Sequence, residues 1–585
     1  MRRSLLSATI AALLLSSPSA LAESAESSPG DAPREREEVS GELPRLILDT
    51  GRRTPPPADP DTIRFTLHGE DQIRYQLQSE FPLTPTVSAI VRTPGITEDS
   101  IGQAQSLTHW LRITPRLQIQ ETIEVVGQLD VLTGLVAGER THDVGADATP
   151  RDDYNGFSNI QARWLYAQLR LPFGVLRVGQ QPNHWGMGLV ANDGDHPTLF
   201  GDYRYGAISE RILFGTRPGG VDSPVTVAIA GDIVYRDANA HLTRGDHAYQ
   251  GVIAGFYERG PNRFGIFSTY RRQENDRTSG TPLFSYTDEI DALAVDLHGK
   301  FATPMRADDT FLYGEAELAY ITGKTNVLRT PEQALAGEKT DLRSYGGAAV
   351  LGVVHKSVST GVCACNKNPN EETINDASAR YFGHAHPGGI PFGDLVAQIE
   401  IGYASGDADP YDKTSKRFVI DANHKIGLLM FDEVLRWQTA RSATAAMDPL
   451  LANSQRSAPG VDLLPSNGGV FGAQYINPTF IARPRHWLDL KGGAVIAQTT
   501  ADFVDPYRLA TSGSYQNYRG GNPKKRDLGV ELDAGIEARI PLDYDLLAQV
   551  GAQGGLLFPG GALENSAGER LPTQWIAIGR LGLQF

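Results

Sequence analysis

The stretch Thr573-Gln-Trp-Ile-Ala-Ile-Gly-Arg-Leu-Gly-Leu-Gln-Phe585 decides the fold. In an extended chain, Trp575, Leu583 and Phe585 fall on one face, and Arg580 falls on the other. The apolar residues of an amphipathic helix would recur three and four positions apart, so this period of two predicts a β-strand. Such a strand separates an apolar medium on one side from a polar environment on the other.

Alternation of the same kind recurs along most of the chain. Near residue 65, for example, Phe65 and Leu67 alternate with Arg64 and Thr66. A soluble sandwich also alternates, but it seldom carries ionic groups along the second face of so many long strands, whereas a water-filled lumen keeps those groups hydrated. The sequence therefore predicts an all-β fold, a transmembrane antiparallel up-and-down β-barrel of about 18 strands (16–18). The expected strands lie near 63–79, 105–119, 121–135, 158–171, 175–181, 205–216, 223–236, 247–259, 261–274, 288–302, 309–322, 343–356, 393–406, 468–482, 486–498, 527–541, 543–556 and 573–585.

The predicted connections alternate between short and long. This is expected when strands return by tight turns on one side of a membrane and by large loops on the other. One long connection, 356–393, falls where a short turn is expected, so either a strand pair is missed there or the barrel carries an insertion on that side. Counting back from Phe585 places residues 181–205 and 406–468 outside the cell. Within the second of these, residues 428–447 are expected to be helical, as a lid, a constriction or a partner-binding element.

The first residues have the pattern of an export signal. A basic Met1-Arg2-Arg3 precedes a short apolar run, and Ala20-Leu21-Ala22 supplies a small-residue cleavage pattern. The run is too short for a bilayer, which takes about 20 residues. We therefore expect residues 1–22 to be a cleaved signal peptide, residues 23–60 a disordered periplasmic segment, and residues 61–585 the barrel.

Charge and cysteine content exclude several classes of protein. The net charge is −15, and loss of two arginines with the signal peptide makes it −17, which argues against nucleic-acid binding. No later stretch approaches ~18 consecutive apolar residues, so helical membrane spans are not expected. The 2 cysteines, Cys363 and Cys365, are too few for a disulfide framework in a chain of 585 residues.

Charged residues on the polar faces of the predicted strands are candidate pore-lining groups. The arginines come mostly from early strands and the carboxylates from later ones, so an open lumen would carry a transverse field that selects among solutes. Alternatively, the opposed charges form ion pairs and fill a closed barrel. The candidates are Arg64, Arg74, Arg112, Arg116, Arg170, Arg211, Glu315, Glu317, Glu400, Glu531, Asp533 and Glu537.

Two loops offer oxygen ligands of the kind that hard cations prefer. One contains Asp407, Asp409 and Asp412, which we retain as a candidate metal site, and the other is the run Asn192-Asp-Gly-Asp195. Neither matches the twelve-residue calcium loop, and loop aspartates also form turns by bonding to their own backbone.

Other chemistry is weakly represented in the sequence. Cys363 and Cys365, with His384 and His386, fit no standard zinc spacing. Neither Gly-x-Ser-x-Gly nor His-Glu-x-x-His occurs. We therefore expect neither enzyme activity nor a cofactor.

Three stretches resemble known outer-membrane proteins. Residues 163–181 resemble a porin hairpin whose second strand ends in Gly-Arg-Gln, although Gly179-Gln180-Gln181 lacks that arginine. Residues 184–195 resemble a segment of uncharacterised predicted outer-membrane proteins of the myxobacterial type. Residues 400–407 resemble a strand-to-loop passage of porins and, more distantly, of alginate-export-type barrels. The terminal Phe585 resembles the sorting signal by which outer-membrane barrels reach the barrel-assembly machinery.

These resemblances imply a location in the cell outer membrane. The expected partners are membrane lipid, lipopolysaccharide and, during insertion, the barrel-assembly machinery. The expected function is that of an outer-membrane channel, a porin-like diffusion or export pore for small polar solutes, anionic or saccharide ones among them. The alternative is a non-conducting structural or assembly component of an envelope or surface machine, which binds its partners through long extracellular loops. The oligomeric state is left open.

Overall fold

The computed structural model describes most of the chain after residue 62. The expected signal peptide, the segment 23–60, both cysteines, His384 and His386 lie outside the described residues. The structure describes residues 63–585 except for 80, 84–98, 101–104, 121, 139–159, 197, 203–205, 221–222, 279–284, 306–309, 327–338, 356–394, 410–411, 440–463, 486 and 543–545.

Eighteen long strands are present, and each overlaps its predicted span. Each pairs antiparallel with its neighbour in the chain, and the first pairs with the last, so the sheet closes into an up-and-down barrel. The predicted fold class is confirmed. The strands are β1 Ile63–Gln78, β2 Gln105–Ile119, β3 Ile123–Gly138, β4 Gln161–Leu171, β5 Gly174–Pro182, β6 Ile208–Thr216, β7 Val225–Arg236, β8 Asp246–Arg259, β9 Asn262–Thr278, β10 Ser285–Pro304, β11 Thr310–Thr325, β12 Thr340–His355, β13 Leu395–Ala404, β14 Ala473–Arg485, β15 Leu488–Thr499, β16 Asp527–Pro541, β17 Leu547–Pro559 and β18 Gln574–Gln584.

The barrel closes at the seam between β1 and β18. In this register Glu70 lies opposite Gln584, and Gln78 lies opposite Ile576. Just beyond β18, Phe585 exchanges two backbone hydrogen bonds with Gly69, at 2.8 and 3.0 Å. A Cβ atom on Gly69 would collide with the Phe585 ring. A larger residue at position 69 would therefore displace the terminal ring from β1.

Alternation along the strands separates an apolar outer face from a polar inner face. On β7, Val225, Val227 and Ile233 point outward and are exposed, whereas Thr226 and Asp232 point inward and are buried. Large apolar side chains are exposed around the outside of the barrel, as at Ile253 on β8, which is 63% exposed. The inner face holds the buried charged groups, which is the arrangement expected of a barrel surrounded by lipid.

Most short connections lie at one end of the barrel, which we call the short-turn end. The connections at the other end, which we call the long-loop end, are mostly longer. The connection 356–394 leaves and returns at the short-turn end. There β12 pairs directly with β13, with His355 opposite Leu395. No further strand pair lies between these two strands in the wall, so a missed strand pair, one of the two predicted explanations, is wrong.

Two connections from the long-loop end fold into the lumen. The first inward segment is residues 183–207, between β5 and β6, and the second inward segment is residues 416–439, between β13 and β14. The two segments touch, since the Asp421 N–H donates to the Leu189 carbonyl at 2.8 Å.

The second inward segment contains the predicted helix. A wide turn spans Met430–Leu435, in which the Val434 N–H bonds to the Leu429 carbonyl five residues earlier at 2.8 Å, and the helix continues to residue 439. The prediction for 428–447 is confirmed over residues 430–439, and residues 440–447 lie outside the described part of the chain. Among the described residues, no helix is both long and apolar enough to cross a membrane.

An apolar core lies inside the barrel around this helix. Met430, Phe431 and Leu435 are fully buried there, at 0–1% exposure. They pack with inward wall residues such as Val495 and Ile576. The lumen at this level is therefore packed with side chains, whereas the inner wall closer to the short turns keeps partial exposure.

Candidate functional site in the barrel lumen

All the predicted pore-lining residues lie on inward faces of barrel strands, but at two different depths. Those nearer the short turns keep partial exposure, which defines a solvated region that we call the short-turn chamber. They are Arg64, Arg116, Arg170, Glu315 and Glu537. Those nearer the long loops contact the inward segments or lie buried in the wall. They are Arg74, Arg112, Arg211, Glu317, Glu400, Glu531 and Asp533.

Opposite charges face each other across the short-turn chamber. Arg116 on β2 lies 3.2 Å from Glu124, with its side chain 31% exposed. Glu315 on β11 lies 2.9 Å from His298 and is 30% exposed. Because β2 and β11 are nine strands apart in a ring of eighteen, they lie on opposite walls. Each of the two groups also has a partner on its own wall, so a transverse field across the chamber stays a prediction.

The sequence reasoning missed cations on the later strands. Lys491 and Arg539 each lie 2.9 Å from Glu537. Arg483, at 2.7 Å, and Arg539 both bind Asp489. Carboxylates on this wall are therefore paired, and cations outnumber carboxylates among the described inward side chains nearest the short turns. The cations are Arg64, Arg116, Arg170, Arg263, Lys300, Arg483, Lys491 and Arg539, and the carboxylates are Glu124, Glu258, Glu315, Asp489 and Glu537.

Two of the predicted arginines are sequestered in buried ion pairs. Arg112 is 4% exposed and binds Asp130 through two bonds, at 2.7 and 3.0 Å. Its Nη1 also donates to Asp195 of the first inward segment, at 2.9 Å. Arg211 binds Asp232 through two bonds of 2.6 Å. These guanidiniums hold neighbouring strands together, and Arg112 also anchors the first inward segment.

Two glutamates of the barrel wall accept hydrogen bonds from backbone N–H groups of the inward segments. Glu317 on β11 accepts hydrogen bonds from the N–H groups of Met187, Gly188 and Leu189, the last two at 3.1 Å. Successive N–H groups aimed at one anion form a nest, a favourable carboxylate site. The left-handed backbone at Gly186 and Gly188, with φ of 55° and 79°, allows the chain to turn in this way.

The second inward segment repeats this arrangement on another wall. Glu531 on β16 accepts hydrogen bonds from the N–H groups of Leu428, Leu429 and Met430, at 2.6, 2.7 and 2.6 Å. Gly427, with φ of 72°, precedes them. Both glutamates were predicted to line a pore, and the structure gives them these backbone partners instead of open solvent. The glycines that precede each nest are the sequence feature from which these backbone turns could have been predicted.

Further side chains fix the two segments. Glu400 on β13 accepts from Tyr475 at 2.6 Å and lies 2.7 Å from His424 Nε2. Burial alone would lower the pKa of His424, but the Glu400 carboxylate outweighs it and raises that pKa. At the seam, where Arg74 of β1 lies opposite Arg580 of β18, both arginines bind Asp202 of the first inward segment.

Aspartates of the candidate metal loop accept hydrogen bonds from nearby backbone N–H groups. Asp407 accepts from the N–H groups of Asp409 and Lys416, at 2.9 and 3.0 Å. Asp412 accepts from the Thr414 N–H at 2.8 Å and from Lys416 Nζ at 2.6 Å. These are the turn-forming bonds that loop aspartates commonly make. A metal role for the three carboxylates stays a prediction.

The chain is distantly similar to several solved structures. No protein-family profile matches the sequence, and no curated protein matches it. Similar solved structures include Pseudomonas aeruginosa OccK9 (OpdG), with 10% identity, TM-score 0.43 and coverage of 89% of this chain and 97% of that one. They also include Acinetobacter baumannii OccAB1, with 9% identity, TM-score 0.41 and the same coverage. Pseudomonas aeruginosa OprD has 9% identity, TM-score 0.40 and coverage of 89% and 94%. Likeness at this level assigns the chain no family, substrate or partner.

Proposed function

We propose that this protein is an outer-membrane channel for small polar solutes, with a preference for anions. The observation that carries the proposal is the closed barrel of eighteen antiparallel strands, apolar outside and charged inside. Large exposed apolar patches on a soluble protein would promote association, whereas lipid accommodates a continuous apolar band. The even strand number and the unequal lengths of the connections at the two ends are typical of outer-membrane barrels.

The anion preference rests on the short-turn chamber. Partly exposed cations such as Arg64, Arg116 and Arg170 line its early strands, and cations on the later strands neutralise Glu537 and Asp489. Because cations outnumber carboxylates in the chamber, the local concentration of anions should be raised. The two inward segments narrow the lumen beyond the chamber, so the channel would admit small solutes only.

A second candidate function follows from the apolar core around Phe431. Packing of this kind, with Leu435 fully buried inside the barrel, would also suit a non-conducting component of an envelope machine. Such a protein would bind its partners through the long-loop end. Lipid, lipopolysaccharide and the assembly machinery, the last through Phe585, remain proposed partners under either function.

Ion selectivity of the purified full-length protein in planar bilayers tests the channel. Under a salt gradient, wild-type protein should show discrete current steps with a reversal potential on the anion side. Replacing Arg116 by alanine should move that potential toward zero, because a solvated cation of the chamber is lost. Arg272→Ala is the matched control, since Arg272 is 61% exposed and lies outside the lumen. Absence of current steps from folded protein at all voltages would favour the non-conducting alternative.

A further inference from the structure

Three side chains of the first inward segment converge in the lumen. His184, Asp193 and His196 each offer one ligand atom, and these atoms all lie within 4.8 Å of one another. Among the described residues, this is the group of histidines and carboxylates with the spacing of a metal site. The sequence alone offers no reason to consider these residues as a zinc site. Eight residues separate His184 from Asp193 and two separate Asp193 from His196, and this spacing matches no standard motif.

The geometry of the group is close to that of a coordination sphere. His196 Nδ1 lies 2.9 Å from the Asp193 carboxylate, and His184 Nδ1 lies 3.8 Å from the same oxygen. The two imidazole rings stack at 3.7 Å with an interplanar angle of 23°. Zinc–ligand bonds of about 2.0–2.2 Å place tetrahedral ligands roughly 3.4 Å apart. Closing these gaps takes shifts on the order of an ångström, together with rotation of the stacked imidazole rings so that one nitrogen of each points at the ion.

The carboxylate at the centre is held in place by the surrounding chain. The Asp193 carbonyl accepts from Arg163 at 2.6 Å, and its side chain accepts from the Asp195 N–H at 2.9 Å. The adjacent Asn192 carbonyl accepts from the Ala207 N–H at 2.6 Å, which closes the loop of the segment. Hydrogen bonds behind the ligands orient a metal site in this way. The site is reachable from the lumen through His196, whose side chain is 29% exposed.

A simple ion pair explains only part of the arrangement. Asp193 needs one imidazolium to balance its charge, and His196 already lies within hydrogen-bonding distance. A second imidazolium stacked at 3.7 Å would repel the first. Two neutral imidazoles and a carboxylate match the ligand set of first-row divalent metals.

We propose that the first inward segment binds one divalent transition-metal ion of the zinc class through His184, Asp193 and His196. Three protein ligands leave a further coordination position open to the lumen. The ion would join residue 184 to residues 193–196 and so stabilise the inward position of the segment. This inference does not depend on whether the barrel conducts.

Titration of metal-stripped, full-length protein in detergent with Zn²⁺ tests the proposal. Calorimetry should detect one tight site, and Co²⁺ in place of Zn²⁺ should give the visible absorption of a nitrogen- and oxygen-ligated ion. Zn²⁺ should raise the thermal midpoint, because it binds the folded state. Affinity should fall below about pH 6, where imidazoles bind protons.

The double variant His184→Gln/His196→Gln should lose at least about tenfold in affinity, together with the Co²⁺ spectrum. His424→Gln is the matched control, because that imidazole also pairs with a buried carboxylate but lies in the other segment. Heat-modifiable gel mobility checks that each variant is folded. Wild-type protein that binds no Zn²⁺, or a folded double variant that binds Zn²⁺ as tightly as wild type, would overturn the proposal.

Discussion

The depth of an inward arginine along its strand determines its role in the barrel. Arg112 and Arg116 lie on the same face of β2, yet Arg112 is 4% exposed and paired with Asp130 and Asp195, whereas the side chain of Arg116 is 31% exposed. Removing one member of a buried ion pair leaves an uncompensated charge, and here two carboxylates would be left. A partly exposed pair contributes little.

We therefore expect Arg112→Ala to lower the free energy of unfolding by about 3–5 kcal/mol. Arg116→Ala should lower it by less than about 1 kcal/mol. Urea unfolding of the detergent-solubilised protein, followed by tryptophan fluorescence, measures both. Equal losses for the two variants would show that the burial of Arg112 does not determine its contribution.

The sequence predicted the direction of these side chains but not what covers them. Alternation along β2 was sufficient to place Arg112 on the inner face. Its partner Asp195 is 83 residues away in the chain, on a segment whose path is set by tertiary contacts. Likewise, Lys491 pairs with Glu537 from the neighbouring strand, and that pairing depends on strand register.

At the scale of elements, the position of the first inward segment depends on Glu317. Both oxygens of the Glu317 carboxyl accept hydrogen bonds from these N–H groups, whereas a glutamine has one acceptor oxygen and presents an NH₂ group in place of the other. We expect Glu317→Gln to speed hydrogen exchange at Met187, Gly188 and Leu189 by about tenfold or more. This corresponds to a decrease of about 1.4 kcal/mol or more in the free energy of local opening of the segment. Mass-spectrometric hydrogen exchange measures it.

Glu315→Gln is the control for this change. Glu315 lies on the same face of β11, two residues nearer the short turns, and its carboxylate contacts His298 instead of the segment. Exchange at residues 187–189 should therefore match wild type in this variant. Faster exchange in both variants to the same degree would indicate a general loosening of β11.

The second inward segment should be held more firmly in acid. Burial raises the pKa of Asp421 to about 7, and Glu400 outweighs burial to raise the pKa of His424. Between about pH 4 and 7 the folded segment binds protons that the unfolded chain would release, so the contribution of Asp421 to stability declines as pH rises through this window. The His424 contribution is complete below about pH 6.5 and declines as pH rises through its raised pKa.

Thermal midpoints measured between pH 5 and 8 test this dependence. The midpoint of wild-type protein should fall as pH rises, and Asp421→Asn, which mimics the protonated carboxyl, should flatten the curve. Identical curves for the two proteins would contradict a role for Asp421.

The inward course of the first segment was not predicted, and for the second segment a constriction of the lumen was one of three roles left open. As sequence, residues 183–207 look like an ordinary extracellular loop, because their polar and glycine content suits a solvated turn as well as a nest. The helix of the second segment was expected, because its apolar residues recur at helical spacing from Leu428 onward. Its position inside the barrel depends on Glu531 of β16, more than 90 residues later in the chain, and local patterns carry no such information.

For the whole molecule, the contact between Gly69 and Phe585 extends the seam that closes the barrel. Gly69→Val would displace the terminal ring and disturb two backbone bonds at the seam. We expect a lower yield of the heat-modifiable, folded species on gels after refolding in detergent. Gly579→Val is the control, because a Cβ atom at Gly579 on β18 meets open space. An undiminished yield for Gly69→Val would show that the seam tolerates a displaced ring.

The barrel as a whole was largely predictable. The alternation along each strand shows which of its faces points into the lumen, and the lengths of the connections show at which end of the barrel each one lies. The approximate number of strands follows from period and parity, whereas several strand bounds differ from the predicted ones by three to five residues, as at Ala473–Arg485. The state of the lumen was not predictable, because it depends on which loops turn inward, and this is decided by contacts between residues far apart in sequence.

Single-channel recording in planar bilayers tests most directly whether the barrel is a channel whose lumen is narrowed by the two inward segments. Wild-type protein should give small, uniform current steps, and the double variant Glu317→Gln/Glu531→Gln, which weakens both nests, should give larger steps or frequent openings to a larger state. Folded wild-type and double-variant proteins that both remain silent at every voltage and salt concentration would contradict the channel. Current steps of the same size in both proteins would contradict constriction by the two segments.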